Sequence, residues 1–306
     1  MVTDRLFRWL SLASGLLVLV VLALIAYNTT KQAWPWFKAE GLHGVLTDDW
    51  NPAKQRFGAL GLIYGTFLVG VIALVIAVPV SVGIALFVNE IAPRRLARPI
   101  VYTVDLLAAI PSVVYGLWAI AVLLAPLGDA YGSVASATSD VPVLKMLFAE
   151  HNITGRSYMT AGIVVAIMIT PIITSITREV FATTPLTLKE ASYGLGATRW
   201  EMIRGSIFPH SRGGVVSAVM IGLGRAIGET IAVALVIGGG AHVSSHILGT
   251  GDTMASAIVN EFPEASGTHR AALIGLGVVL LVLTVLVGML ARGAVARYDR
   301  RTGVTR

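Results

Sequence analysis

Three charged residues sit where charge is expensive. Arg225 and Glu229 lie four residues apart inside one long apolar block, and Asp105 lies inside another. Charge within a membrane-spanning segment is kept for pairing, for a water-filled path or for function. A guanidinium offers a planar fork of donors that fits an oxyanion. A neighbouring carboxylate accepts a proton, so the two suit a tetrahedral anion that still carries one better than an anion that carries none. A helix begun at Gly213 and rising 1.5 Å per residue puts Arg225 roughly 18 Å up. That is near the middle of a hydrocarbon core about 30 Å thick, with Glu229 one turn further on the same face. The pair therefore reads as an anion-handling site on a translocation path. The alternative is a self-neutralising structural pair, although arginine before glutamate is the less favourable helical order. Asp105 reads more simply as snorkelling toward, or pairing with, the Arg94–Arg98 loop. His242 and His246 have a spacing that binds metal on a helix, but Gly238–Gly240 and Ser244–Ser245 do not favour one. No metal site and no catalytic residue is expected.

The elements that must hold these residues are membrane helices. The 306 residues are 55% hydrophobic and 13% charged, against about 25% charged in soluble domains. Apolar blocks of about 18 residues or more mark spans. About six are legible: Leu10–Tyr27, Leu60–Val88, Ile100–Leu124, Met159–Ile176, Val215–Ile237 and Ala271–Ala291. The first is too long, and lacks the cleavage site, for a signal peptide. There is no cysteine, so no disulfide framework is possible. The net charge of +6 fits an arginine excess on the cytoplasmic side; no basic run interleaved with aromatics suggests nucleic acid. With the N-terminus inside, the inner segments hold Arg5, Arg8, Arg94, Arg95, Arg98, Arg178, Lys189, Arg199, Arg204, Arg212, Arg292 and the arginines to Arg306. The outer loops hold roughly half as many basic residues, Lys145 and Arg156 among them, and collect acids such as Asp48, Asp140, Glu150 and Asp252. Both termini are therefore expected in the cytoplasm.

The stretch Thr183–Arg212 is the most structured connector. Thr184–Pro185 is a helix start, Thr187 with Glu190 and Thr198 with Glu201 have capping-box spacing, and Gly194 and Gly196 supply a stop and a turn. Pro209 opens the next helix. Two short helices at 183–205, hinged at glycine, make a docking-sized element.

The run Glu190-Ala191-Ser192, Gly196 and Ile207-Phe208-Pro209 resembles the EAA motif of ABC-importer permeases. Gly196 and Pro209 are in register; Ser192 stands in place of alanine, Ser206 in place of isoleucine and Phe208 in place of leucine. Phe57–Gly70, Leu106–Trp118, Gly222–Gly239 and Asn260–Ala265, in that order, are similar to phosphate-specific transport permeases of the PstC type. The resemblance implies an all-α integral membrane protein with the type I ABC importer permease fold, a MetI-like core. Residues 59–306 would form that core, and 1–58 an added N-terminal helix with the first periplasmic loop. It implies ATPase coupling through Glu190, Ala191, Ser192, Gly196 and Pro209, and substrate translocation past Arg225 and Glu229. The implied partners in a bacterial inner membrane are a PstA-type permease as heterodimer partner, a PstB-type ATPase dimer and a periplasmic PstS-type phosphate-binding protein. ATP and Mg would sit on the ATPase, since this sequence has no P-loop, and this chain would bind no cofactor. Met254–Phe262, too short to span, would face the binding protein. Competing readings are a sulfate or molybdate permease of the same type, an ion-coupled secondary transporter with Arg225 and Glu229 as a charge relay, or a membrane-bound enzyme. Secondary carriers tend to show paired broken helices, which the sequence does not display, and no catalytic constellation supports an enzyme.

Overall fold

The computed structural model describes residues 2–138, 141, 147–148 and 154–301. Asp140, Lys145, Glu150 and Arg306 of the charge comparison lie outside them. Among the described residues, five helical stretches are long and apolar enough to cross a membrane: Leu6–Gly41, Leu60–Ile91, Ser112–Ala137, Tyr158–Ala182 and Gly267–Gly293. The first belongs to α1 (Val2–Leu46), which kinks at Gly41. It reaches well beyond the apolar block because polar residues after Tyr27 continue the helix. A two-stranded hairpin, β1 (Trp50–Asn51) with β2 (Arg56–Phe57), follows. Then come α2 (Leu60–Leu86), α3 (Arg94–Ala108), α4 (Ser112–Trp118), α5 (Leu124–Ala137) and α6 (Tyr158–Ala182). The chain continues through α7 (Leu186–Gly194), α8 (Arg199–Met202), α9 (Phe208–Ile227), α10 (Ile231–Val236), α11 (Met254–Glu261) and α12 (Gly267–Arg301). Three π-helical turns, Phe87–Ile91, Ala119–Leu123 and Ile203–Ile207, prolong α2, join α4 to α5 and join α8 to α9.

Two expected spans differ. The block Ile100–Leu124 is not one helix. Pro111 disfavours the helical conformation at the residue before it, and α3 ends at Ala108 while the span restarts at Ser112. The block Val215–Ile237 is also divided, at Gly228–Thr230, into α9 and α10. Glycine is a weak helix former, and hydropathy does not register such a break.

Among the described residues, α2 packs along α6, α9 lies against both, and α1 pairs with α12. Gly222 lets α9 approach α6: a Cβ there would lie 2.6 Å from Ile173 Cδ1. Small residues at such crossings are the usual means of close helix contact in membranes. Trp36 of α1 is buried over Gly275 of α12 and donates its indole N–H to the Phe57 carbonyl at 3.1 Å.

Contacts gather the loops at two ends: Glu90 meets Lys189 and Asn89 meets Arg178 at one, and Trp50 meets Glu261 at the other. The basic end holds Arg94, Arg178, Lys189 and the 183–207 segment. The acidic end holds the hairpin, the 238–253 loop and α11. At the acidic end Trp50 donates to Glu261 at 3.0 Å, His269 lies 2.8 Å from the same carboxylate, and Phe57 stacks on the His269 ring. Glu261 is thus turned inward, and Met254, Ala255, Ser256 and Ala257 are buried. The expected short helix there is formed, but half of it is core. The 242–246 stretch is not helical.

A candidate translocation site and coupling segment

The helices that resume after the two breaks face each other. Gly116 of α4 touches α10 so closely that a Cβ would lie 2.7 Å from Leu235 and 3.0 Å from the Ala232 Cα. Non-helical backbone at membrane depth is tolerated where it is buried in protein or lines a cavity, provided its polar groups find partners. They do here. Tyr115 donates its hydroxyl to the Leu107 carbonyl at 2.8 Å, on the far side of the Pro111 break. Thr230 donates to the Gly228 carbonyl at 3.1 Å. Glu229, 8% exposed, accepts the Ala232 N–H at 3.3 Å, so its carboxylate satisfies a free donor at the start of α10.

This changes the reading of the charged pair. Arg225, in the last turn of α9, is exposed, whereas Glu229 is buried beyond the break. The two do not continue one helical face, and among the described residues no ion pair joins them. The guanidinium instead lies within electrostatic range of the Tyr115 hydroxyl. Asp105 is exposed on α3, the helix that also carries Arg94, Arg95 and Arg98, and forms none of the ion pairs found among the described residues, so of the two expectations the pairing is not made.

At the basic end, α7 and α8 form the expected short helices. Gly196 turns the chain between them with φ +82°, a conformation that only glycine takes cheaply, and its N–H donates to the Tyr193 carbonyl at 2.9 Å. Thr198 and Glu201 form the capping box. Its hydrogen bonds hold the exposed Glu201 carboxyl below the usual carboxylate range. Thr187 and Glu190 do not form one: Pro185 is the N-cap of α7 and no side chain caps it. Helical residues from Leu186 leave Thr187 inside the first turn, where it cannot cap. Glu190 and Ala191 are exposed instead. Pro209 stands in the first turn of α9, as expected, although α8 runs into α9 through the π turn without a stop.

Ser192 and Ser206, both departures from the motif, meet: their hydroxyls are 2.7 Å apart. Met202 and Ile207 are buried against Phe181 and Ala85, each worth roughly 1.5–3 kcal/mol relative to exposure to water. The segment is therefore seated on α2 and α6 along one side. Its other side leaves Leu186, Tyr193, Leu195 and Trp200 exposed, Leu195 at 89%. Four large apolar side chains are thus exposed on one short connector.

The acidic end carries a buried group that the sequence did not single out. Asp252 is held against α2, where a Cβ on Gly65 would lie 2.0 Å from its carbonyl oxygen. Its carboxylate accepts from the Thr253 N–H at 2.9 Å and from the Ser256 hydroxyl. Burial pushes the Asp252 carboxyl up to about 6, against the lowering effect of those two hydrogen bonds, and Glu261 adds a smaller upward push. Thr66 accepts the Met254 N–H at 3.0 Å, locking the same turn to α2.

Residues 77–304 match the family model described as binding-protein-dependent transport system inner membrane component; α1 lies outside the match. The phosphate transport system permease protein PstC of Mesorhizobium japonicum is 41% identical over 98% of this chain and 92% of its own length. The protein of that name in Pasteurella multocida is 38% identical over 99% and 94%, and that of Haemophilus influenzae 40% over 98% and 95%. Among solved structures, a bacterial alginate ABC transporter in complex with its pentasaccharide-bound periplasmic protein aligns with TM-score 0.60 at 16% identity, over 99% of this chain and 98% of that one. An inward-facing MetNI methionine ABC transporter aligns with TM-score 0.50 at 21% identity, over 80% and 94%.

Proposed function

From the premise that this chain belongs to the binding-protein-dependent inner membrane components, with the PstC-type permeases as full-length relatives and the type I ABC importer fold, we propose that it is one permease subunit of an ATP-driven phosphate importer. The observation that carries the reading is the coupling segment. A glycine-hinged pair of short helices, anchored on one side and apolar on the other, is built to receive another protein. We assign that partner as a PstB-type ATPase dimer that holds ATP and Mg, leaving this chain without a cofactor of its own. A PstA-type permease completes the path, and a PstS-type binding protein docks at the acidic end. The protein is a multi-pass membrane protein. The basic end, with the coupling segment, is assigned to the cytoplasm together with both termini, in line with the positive-inside rule.

Substrate translocation is assigned to the paired breaks. Arg225 supplies an exposed positive fork at membrane depth, where an anion otherwise pays a heavy desolvation cost. Glu229 positions α10 by accepting the Ala232 N–H in its first turn and brings negative charge close to the path. That charge disfavours an oxyanion with no proton to donate, so phosphate passes in preference to sulfate. The test is initial-rate uptake of radiolabelled phosphate by liposomes holding the reconstituted complex, with and without ATP and excess sulfate. ATP-dependent uptake that sulfate leaves unchanged is expected. Uptake independent of ATP sinks the importer reading, and strong inhibition by sulfate shifts the substrate to that oxyanion.

A further inference from the structure

The coupling helix α7 has two faces. Leu186, Glu190 and Tyr193 point outward; Lys189 and Ser192, one turn apart, point inward to two different π turns. Lys189 Nζ meets Glu90 Oε1 at 2.5 Å in the turn that ends α2. Ser192 meets Ser206 in the turn that leads to α9. The neighbour of Glu90 completes a node: Asn89 donates to the Arg178 carbonyl of α6 at 2.7 Å. π turns insert an extra residue at a cost in regularity and concentrate at functional positions.

The Lys189–Glu90 pair is the most enclosed ion pair among the described residues, with the lysine 18% and the glutamate 9% exposed. The others each leave at least one partner more open, as with Arg56 and Asp49 at 67% and 46%. Such a pair is a poor device for stability alone, since desolvation offsets much of its attraction and an apolar pair often serves as well. It is a good device for register, because breaking it strands a buried charge.

We propose that Lys189–Glu90 is a positioning strut that makes α7 and the end of α2 move as one body. This rests on the assignment of α7 as the ATPase docking helix. The covalent chain joins α7 to α6 through Thr183–Pro185 and to α9 through α8. The strut adds α2, whose end Asn89 also ties to α6, so one ATPase movement drives the helices on both sides of the path.

The chain has no cysteine, so spin labels at Thr187→Cys and Ile91→Cys, both exposed positions, report the α7–α2 distance within the assembled complex. With the native pair, the label distance stays the same with and without trapped ATP. In Glu90→Gln and in Lys189→Met, ATP shifts that distance by several ångströms, and phosphate moved per ATP falls at least about five-fold, while ATPase co-purification is unchanged. The exchange of both, Glu90→Lys with Lys189→Glu, restores the fixed distance and the transport ratio. Single variants with a fixed distance and a normal ratio overturn the strut. So does loss of ATPase co-purification, which makes the pair part of the docking surface, or an exchange that fails to restore. A native complex that keeps the fixed distance but moves no phosphate contradicts the substrate assignment and leaves the strut standing.

Discussion

Removing the two serine hydroxyls one at a time gives unequal effects, and the structure says which is larger. Ser192 Oγ has two partners, Ser206 Oγ at 2.7 Å and the Leu188 carbonyl at 3.1 Å. Ser206→Ala leaves Ser192 with the Leu188 carbonyl, so one hydrogen bond is lost, about 1 kcal/mol. Ser192→Ala removes the partner seen for the half-buried Ser206, and an unsatisfied hydroxyl there costs about 1–3 kcal/mol. The double variant Ser192→Ala with Ser206→Ile moves toward the motif pattern and removes both polar atoms, which is expected to be nearly neutral. Amide hydrogen exchange of α7 reads these as local opening free energies. At a tenfold change per about 1.4 kcal/mol, Ser206→Ala speeds exchange roughly five-fold and Ser192→Ala roughly five- to a hundredfold. Exchange in the double variant returns toward the parent. A larger effect of Ser206→Ala than of Ser192→Ala, or a double variant that opens more than either, refutes the pairing of the two hydroxyls.

Three other outcomes follow from the geometry. Gly196→Ala meets no atom within 4 Å, so its cost is the left-handed backbone alone, about 1 kcal/mol, and transport weakens modestly. Gly196→Pro loses both that conformation and the N–H to Tyr193, so ATPase co-purification fails while membrane insertion persists; equal behaviour of the two variants contradicts the hinge. For Asp252, a carboxyl raised to about 6 from 3.8 favours the folded state when protonated. Its stabilising contribution is present below about pH 4 and is lost as pH rises through about 6, on the order of 3 kcal/mol in all. Thermal melts of Asp252→Asn against the parent should therefore favour the variant increasingly from pH 4 to pH 7; a constant difference denies the buried titration. Membrane-impermeant thiol reagents should reach Lys54→Cys only from outside the cell and Leu195→Cys only from inside, and the reverse pattern overturns the orientation.

Much of this was open to reading before the fold. Four apolar blocks fall within α1, α2, α6 and α12 because nothing within them interrupts a helix that neighbours can support; Pro79 and Pro171 are both accommodated. The Gly196 turn and the Thr198–Glu201 box were legible because both are local chemistry. The two breaks were not. Averaged over a whole block, hydropathy hides both Ile110–Pro111 and Gly228–Thr230, and only the folded structure reveals that freed backbone groups there are satisfied. That is also why Arg225 and Glu229 were placed on one face. Ser192 and Ser206 were visible as departures from a motif, but their pairing is a property of the folded segment. Asp252 looked like an ordinary outer acid, and its burial follows from the approach of the loop to Gly65.

The most direct test of the account is the initial rate of ATP-driven phosphate uptake by the Arg225→Gln complex. It is compared with the parent at equal membrane insertion and equal ATPase co-purification. A neutral amide does not offset the cost of an anion at membrane depth, so uptake is expected to vanish while the complex stays assembled. Arg225→Lys, a charge without the fork, retains a reduced rate. Uptake by Arg225→Gln at the parental rate contradicts the account, because the phosphate path then does not run past Arg225.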